Sequence, residues 1–148
     1  MGMYSNRHSM GYQLSKGNNY YLSKAAFLES LYFAYQYQEF LDELEVIGDG
    51  SKGISYDSQP HGDAKAGGLE DLAIRRARIS SKVDLIERVC REVDPELYPW
   101  LIKGFTSDEV GYDYLRYQLR MPCGRNQYYE KRRKFYFLLY REKQKKWK

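Results

Sequence analysis

The chain has 148 residues, 43% of them hydrophobic and 30% charged, with a net charge of +4. That balance suits a single soluble domain or two small helical units and argues against a disordered chain. No apolar run reaches the roughly 18–20 residues of a membrane span, no leader pattern stands at Met1–Gly2–Met3–Tyr4, and Cys90 and Cys123 form neither a metal-ligand spacing nor a disulfide framework, so a cytoplasmic setting is expected.

Residues 1–19 lack hydrophobic periodicity and are expected to be irregular. Ser15 or Asn19 then opens a predicted helix over about Tyr20–Ile47. One apolar stripe on it runs Ala26, Phe33, Tyr37, Phe40, Leu44, Ile47, and a second runs Phe27, Leu31, Ala34, Leu41. Two stripes on one helix require more than one covering neighbour. Residues 48–68 follow, with six glycines in 21 residues and Pro60, so they form a connector. His61 and Asp63 lie in it as P-H-G-D, and with His8 as the only other histidine a polar turn is expected rather than a metal site.

From Leu69 to Val93 the residues Leu69, Leu72, Arg76, Ile79, Val83, Ile86, Cys90 and Val93 alternate steps of three and four, a heptad seam carrying one charge. Such a helix can pack within the chain or pair with a second subunit as a homodimer. Cys90 on it is expected to be a small buried hydrophobe. Asp94–Pro95 restarts a helix that should end at Gly104. Thr106–Ser107–Asp108–Glu109 caps another, to about Leu119, stopping before Met121–Pro122.

The final stretch, MPCGRNQYYEKRRKFYFLLYREKQKKWK, holds most of the charge asymmetry. Residues 124–148 carry ten Lys or Arg against Glu130 and Glu142, a net of +8, while the preceding 123 residues carry a net of −4. A basic end on a mildly acidic body points that end at a polyanion, although a solvated tail would carry the same charge. The sixteen tyrosines are expected mostly to pack, their hydroxyls finding partners. The expected fold is therefore all-α. An N-terminal helical hairpin or coiled-coil-like part (1–47, linker 48–68, heptad helix 69–93) precedes a three-helix helix-turn-helix domain over 94–148.

With a helix over 124–140, Tyr128, Phe135 and Leu138/Leu139 should face the core. The first turn and outer face should then present Arg125, Asn126, Gln127, Tyr129, Glu130, Arg133 and Lys134. Arginine and carboxamide side chains can bond two positions of a base edge at once. Lys131, Arg132, Arg141, Lys143, Lys145 and Lys146 would meet phosphates. Double-stranded DNA is thus the expected partner. No nucleophile–base pair, phosphate-cradling glycine loop or carboxylate cluster suggests an enzyme, a metal or a cofactor.

The run P-C-G-R-N-Q-Y-Y-E-K-R-R-K-F-Y-F-L-L resembles the C-terminal helix of ArpU/RinA-type phage transcriptional regulators, whose end is similar to promoter-reading region 4 of bacterial sigma factors. Pro122, Arg125, Tyr128, Tyr129 and Arg132/Arg133 carry the likeness, which covers about residues 55–140; Gly124 stands where that family has serine. The resemblance implies late-gene control in a bacterial or phage-infected cell, contact with host RNA polymerase, and no catalysis. A terminase-small-subunit-like packaging oligomer shares the same ingredients. A basic, tyrosine-rich end would also suit unpaired RNA bases.

Overall fold

The computed structural model describes residues 17–48 and 65–147, with the backbone alone for residues 65–67 and 69. His8, His61, Asp63 and most of the glycine-rich connector lie outside the described residues. All regular structure among the described residues is helical, as the periodicity predicts. Five α-helices follow in order: α1 (Lys24–Ala34), α2 (Tyr37–Ile47), α3 (Lys65–Val93), α4 (Tyr98–Phe105) and α5 (Arg125–Lys146), with a π-helical turn at Tyr114–Gln118 between the last two. No described helix is long and apolar enough to cross a membrane.

The chain divides into two compact units, one built from residues up to Gln36 and from Leu85 onward, the other from Tyr37–Asp84. That division explains why the predicted helix 20–47 is two helices. Ser23, not Ser15 or Asn19, caps α1: its Oγ accepts from the Ala26 N–H at 3.1 Å. The helix closes at Tyr35, whose N–H donates to the Leu31 carbonyl. α1 buries Phe27, Leu31, Phe33 and Ala34 in the first unit, whereas α2 buries Phe40 in the second. The break at Tyr35–Gln36 gives each half of the predicted helix its own core to bury: α1 buries members of both stripes, and α2 buries Phe40.

In the Tyr37–Asp84 unit, Phe40, Ile79 and Val83 are buried. The Arg75 guanidinium hydrogen-bonds to Glu43, and the Lys82 ammonium stands 5.3 Å from the Phe40 ring centre. α2 ends where it should, with Gly48 at φ 77° and its N–H donating to Leu44.

The other unit holds most of the core. Leu85, Ile86, Val89 and Cys90 from α3, Leu101 and Phe105 from α4, Leu115, Met121, and Phe135, Tyr136 and Leu139 from α5 are all essentially inaccessible. Each such side chain is worth about 1.5–3 kcal/mol against exposure. The heptad positions Ile79, Val83, Ile86, Cys90 and Val93 are thus buried within a single chain. Burial also raises the Cys90 thiol pKa well above the usual range, as expected of an inert packed thiol.

Two further boundaries differ from the sequence expectation. Asp94 does not cap α4: its carboxylate accepts from the N–H groups of Glu96 and Leu97 and so closes the Pro95–Leu97 turn, and α4 begins at Tyr98 with Leu97 as its N-cap. Gly104 is the penultimate residue of that helix, which closes one residue later at Phe105. A Cβ there would overlap Tyr128 Oη and stand 2.7 Å from Leu115 Cδ1, so glycine is the residue that lets α5 approach. The regular helix expected over 107–119 is absent. Residues 107–111 are irregular, and the chain coils only from Tyr112 through the π-helical turn. Arg120 then adopts φ 60°, the left-handed region, and the Met121 N–H reaches back to the Leu115 carbonyl at 2.9 Å. The last three elements therefore keep the predicted order without a regular middle helix.

Replacing Gly104 with alanine is expected to destabilise the fold by about 1–3 kcal/mol through overpacking against Tyr128 and Leu115. Urea unfolding should show a lower midpoint at unchanged slope.

Candidate nucleic-acid interface

The basic helix α5 is longer than the sequence suggests: 22 residues, or about 33 Å at 1.5 Å per residue. It starts from Gly124 in extended conformation, whose carbonyl accepts from the Tyr128 N–H. The bend ahead of it is pinned, since the Tyr112 hydroxyl donates to the Cys123 carbonyl at 2.7 Å and the Cys123 N–H donates to Met121.

One side of α5 is locked into the core. Tyr128 and Phe135 pack on Phe105 with ring centres 5.5 and 5.0 Å apart. The Tyr136 hydroxyl donates to the Phe105 carbonyl at 2.7 Å, and Ser30 Oγ of α1 donates to the Tyr136 carbonyl at 2.8 Å. Burial drives the hydroxyl pKa of both Tyr128 and Tyr136 upward, so both stay neutral. Trp100 Nε1 donates to the Leu119 carbonyl, fastening α4 to the π-helical turn.

At 3.6 residues per turn the opposite side of α5 carries Asn126, Gln127, Glu130, Lys134, Arg141 and Lys145. Asn126, Gln127, Glu130, Arg141 and Lys145 are exposed, and Lys134 is half-buried. Arg125 is exposed too, paired with Asp113 at 2.8 Å and stacked 4.8 Å from the Tyr112 ring. Arg133 pairs with Glu130 at 2.8 Å, and Lys145 with Glu142 at 3.2 Å. Lys146 stands over the Trp147 ring at 5.9 Å and Arg141 over Phe137 at 5.6 Å. Surface pairs of this kind are worth about 0–1 kcal/mol, so a phosphate can replace the acidic partner at little cost. Arg125, Asn126, Tyr129, Glu130 and Arg133 bound an open cleft of about 350 Å³ at the leading turn.

Three of the expected phosphate contacts are placed elsewhere. Arg132 is 6% exposed and belongs to the core, a correction to its assignment as a surface cation. At helical spacing it falls one turn from both Tyr128 and Tyr136, on the buried side; the K-R-R-K run conceals this. Lys131 is half-buried and paired with Asp94 at 3.2 Å. Lys143 is turned onto α1, 3.4 Å from Glu29 and 4.3 Å from the Phe33 ring centre. Sequence reasoning missed Tyr136 and Tyr112 as the residues that hold the leading turn. The spacing Tyr128, Phe135, Tyr136, Leu139 could have found the first; nothing local marks the second.

No cluster of His, Cys, Asp and Glu able to hold a metal occurs among the described residues. Comparisons with known protein families, with curated proteins and with solved structures find no match.

The Asp94 carboxylate ties the start of α4 to α5. Partial burial disfavours its charge, but the Leu97 N–H, Lys131 and the Glu96 N–H outweigh that and hold its pKa below the ordinary value. A depressed folded pKa contributes stability that is complete above the ordinary carboxylate value and is lost as pH falls through the lower folded value. Asp94→Asn should remove this acid-side dependence, seen as a flatter profile of unfolding midpoint against pH below about 4.

Proposed function

We propose that this protein binds duplex DNA in a sequence-specific manner through α5, as a transcriptional regulator of the phage type that residues 122–139 resemble. The observation that carries the reading is the leading turn of α5. Asn126 and Gln127 are exposed beside Arg125, on a helix whose other side is fixed by Tyr128, Phe135, Tyr136 and Leu139. A helix held this way can project polar side chains into a major groove without losing them to rotation or fraying. Beyond the first turn, Lys134, Arg141, Lys145 and Lys146 would meet phosphates and set register.

Two copies would read two half-sites and gain both affinity and specificity. Because the later half of the heptad seam is committed to the core, pairing falls to the Tyr37–Asp84 unit, where Val46 is 73% and Ile74 49% exposed. The same exposed residues support a second reading, a ring-forming DNA-packaging oligomer. Solution mass separates a dimer from a ring.

Asn126→Ala or Gln127→Ala is expected to cost about 1–3 kcal/mol on the preferred duplex and to relax its sequence choice. Replacing Lys145 and Lys146 with alanine should weaken binding to every duplex alike and flatten the salt dependence. Titration of the preferred and random duplexes at several salt concentrations checks both. Equal effects on the two duplexes by the Asn126 and Lys145 variants would remove the base-reading assignment.

A further inference from the structure

Among the described residues, Arg132 is the one cation of α5 that faces inward without an ion pair. Its guanidinium stands 5.2 Å from the Tyr136 ring centre and 5.9 Å from that of Phe27, and the Tyr35 side chain interacts with it electrostatically. Nη1 is shielded from solvent and makes no hydrogen bond. Among the described residues no carboxylate forms an ion pair with it. A guanidinium cannot shed its proton in a folded protein, and a buried charge without a counter-charge is costly. The two rings offset part of that cost and leave Nη1 unsatisfied.

Arg132 lines a half-open pocket with Tyr35, Ser107, Asp108, Tyr112 and Tyr129. Its inner space, about 20 Å³, suits a single oxygen-sized group. The Tyr112 hydroxyl is committed to Cys123. Ser107 Oγ accepts from the Glu109 N–H, which leaves its own proton to donate. Tyr129 also bounds the cleft at the leading turn of α5, so pocket and cleft share a wall.

We propose that this pocket receives a phosphate group, with one oxygen seated against the Arg132 guanidinium and the others at the mouth beside the Ser107 and Tyr129 hydroxyls. A planar carboxylate is best met by two parallel N–H groups of an arginine. Here the donors are three separate groups, the planar guanidinium of Arg132 and the hydroxyls of Ser107 and Tyr129. A tetrahedral oxyanion, with more than two oxygens to share among them, fits that set better. Asp108, exposed at the rim, opposes any anion and keeps the site weak. The phosphate is either free or a backbone phosphate of DNA; the second source rests on the reading of α5 as a duplex-binding helix, and the first does not.

The test uses the full chain. Inorganic phosphate, titrated against chloride at constant ionic strength, should move the Arg132 Nε–Hε resonance and raise the melting temperature. Arg132→Lys should abolish the melting shift. Asp108→Asn, at an exposed position that does not endanger folding, should tighten phosphate several-fold, while Glu109→Gln, an equal charge change outside the pocket, should not. If the phosphate is a backbone one, Asp108→Asn should also raise affinity for all duplexes more than Glu109→Gln does. Equal duplex affinities for those two variants would leave free phosphate as the source. An unmoved Arg132 resonance, with Asp108→Asn and Glu109→Gln indistinguishable towards phosphate, overturns the site even if duplex DNA binds. A moved resonance with no duplex binding overturns only the DNA reading.

Discussion

The seating of Tyr128 on Gly104, with Tyr136 one core layer further along, fixes where α5 can be. Gly104 removes the side chain that would hold the two helices apart. Phe105 then meets Tyr128, Phe135 and Tyr136 at once. The hydrogen bonds of Tyr136 to Phe105 and of Ser30 to Tyr136 connect three elements through one residue. Each bond is worth only about 1 kcal/mol net, but leaving these buried groups unpaired would cost more. The contact is therefore specific as well as tight: a rotation of α5 by one residue would bury Tyr129 and Arg133 and strand both hydroxyls.

From that constraint the rest of α5 follows. A helix that must bury one side has its other side decided, and here the outer side is polar and basic over most of its length. The ion pairs of Arg125 with Asp113 and of Lys145 with Glu142 hold those exposed cations in place without committing them, because exposed pairs contribute little. Lys131 and Lys143 are different. Their pairs with Asp94 and Glu29 join α5 to neighbouring elements, so those lysines serve the fold before they serve a ligand. Arg132 goes further and is spent in the interior, beside a pocket that adjoins the presenting turn.

The sequence was informative where a pattern is local. The heptad of α3, the glycine at the end of α2 and the apolar positions Tyr128, Phe135 and Leu139 are all visible as spacing. The exposed trio Arg125, Asn126 and Gln127 could be read from their place in the first turn of a helix with a known inner side. The failures share one cause. Helix 20–47 breaks where the chain passes from one compact unit to the other, Gly104 stays within α4 where a ring from residue 128 needs its space, and residues 107–119 hold a π-helical turn ahead of the Arg120 turn in place of a regular helix. None of these pressures acts within one turn of the chain.

By itself, then, the sequence determined that the chain is helical, where its basic end lies, and which residues open the last helix, because periodicity and capping are short-range effects. Only the tertiary structure decided which cations remain outside. Lys131, Arg132, Arg133 and Lys134 are adjacent in the chain and alike in charge, yet packing against α1, α4 and Asp94 sends them to different surroundings. Charge alone does not distinguish neighbours on a helix; the angle each one makes with a buried aromatic core does.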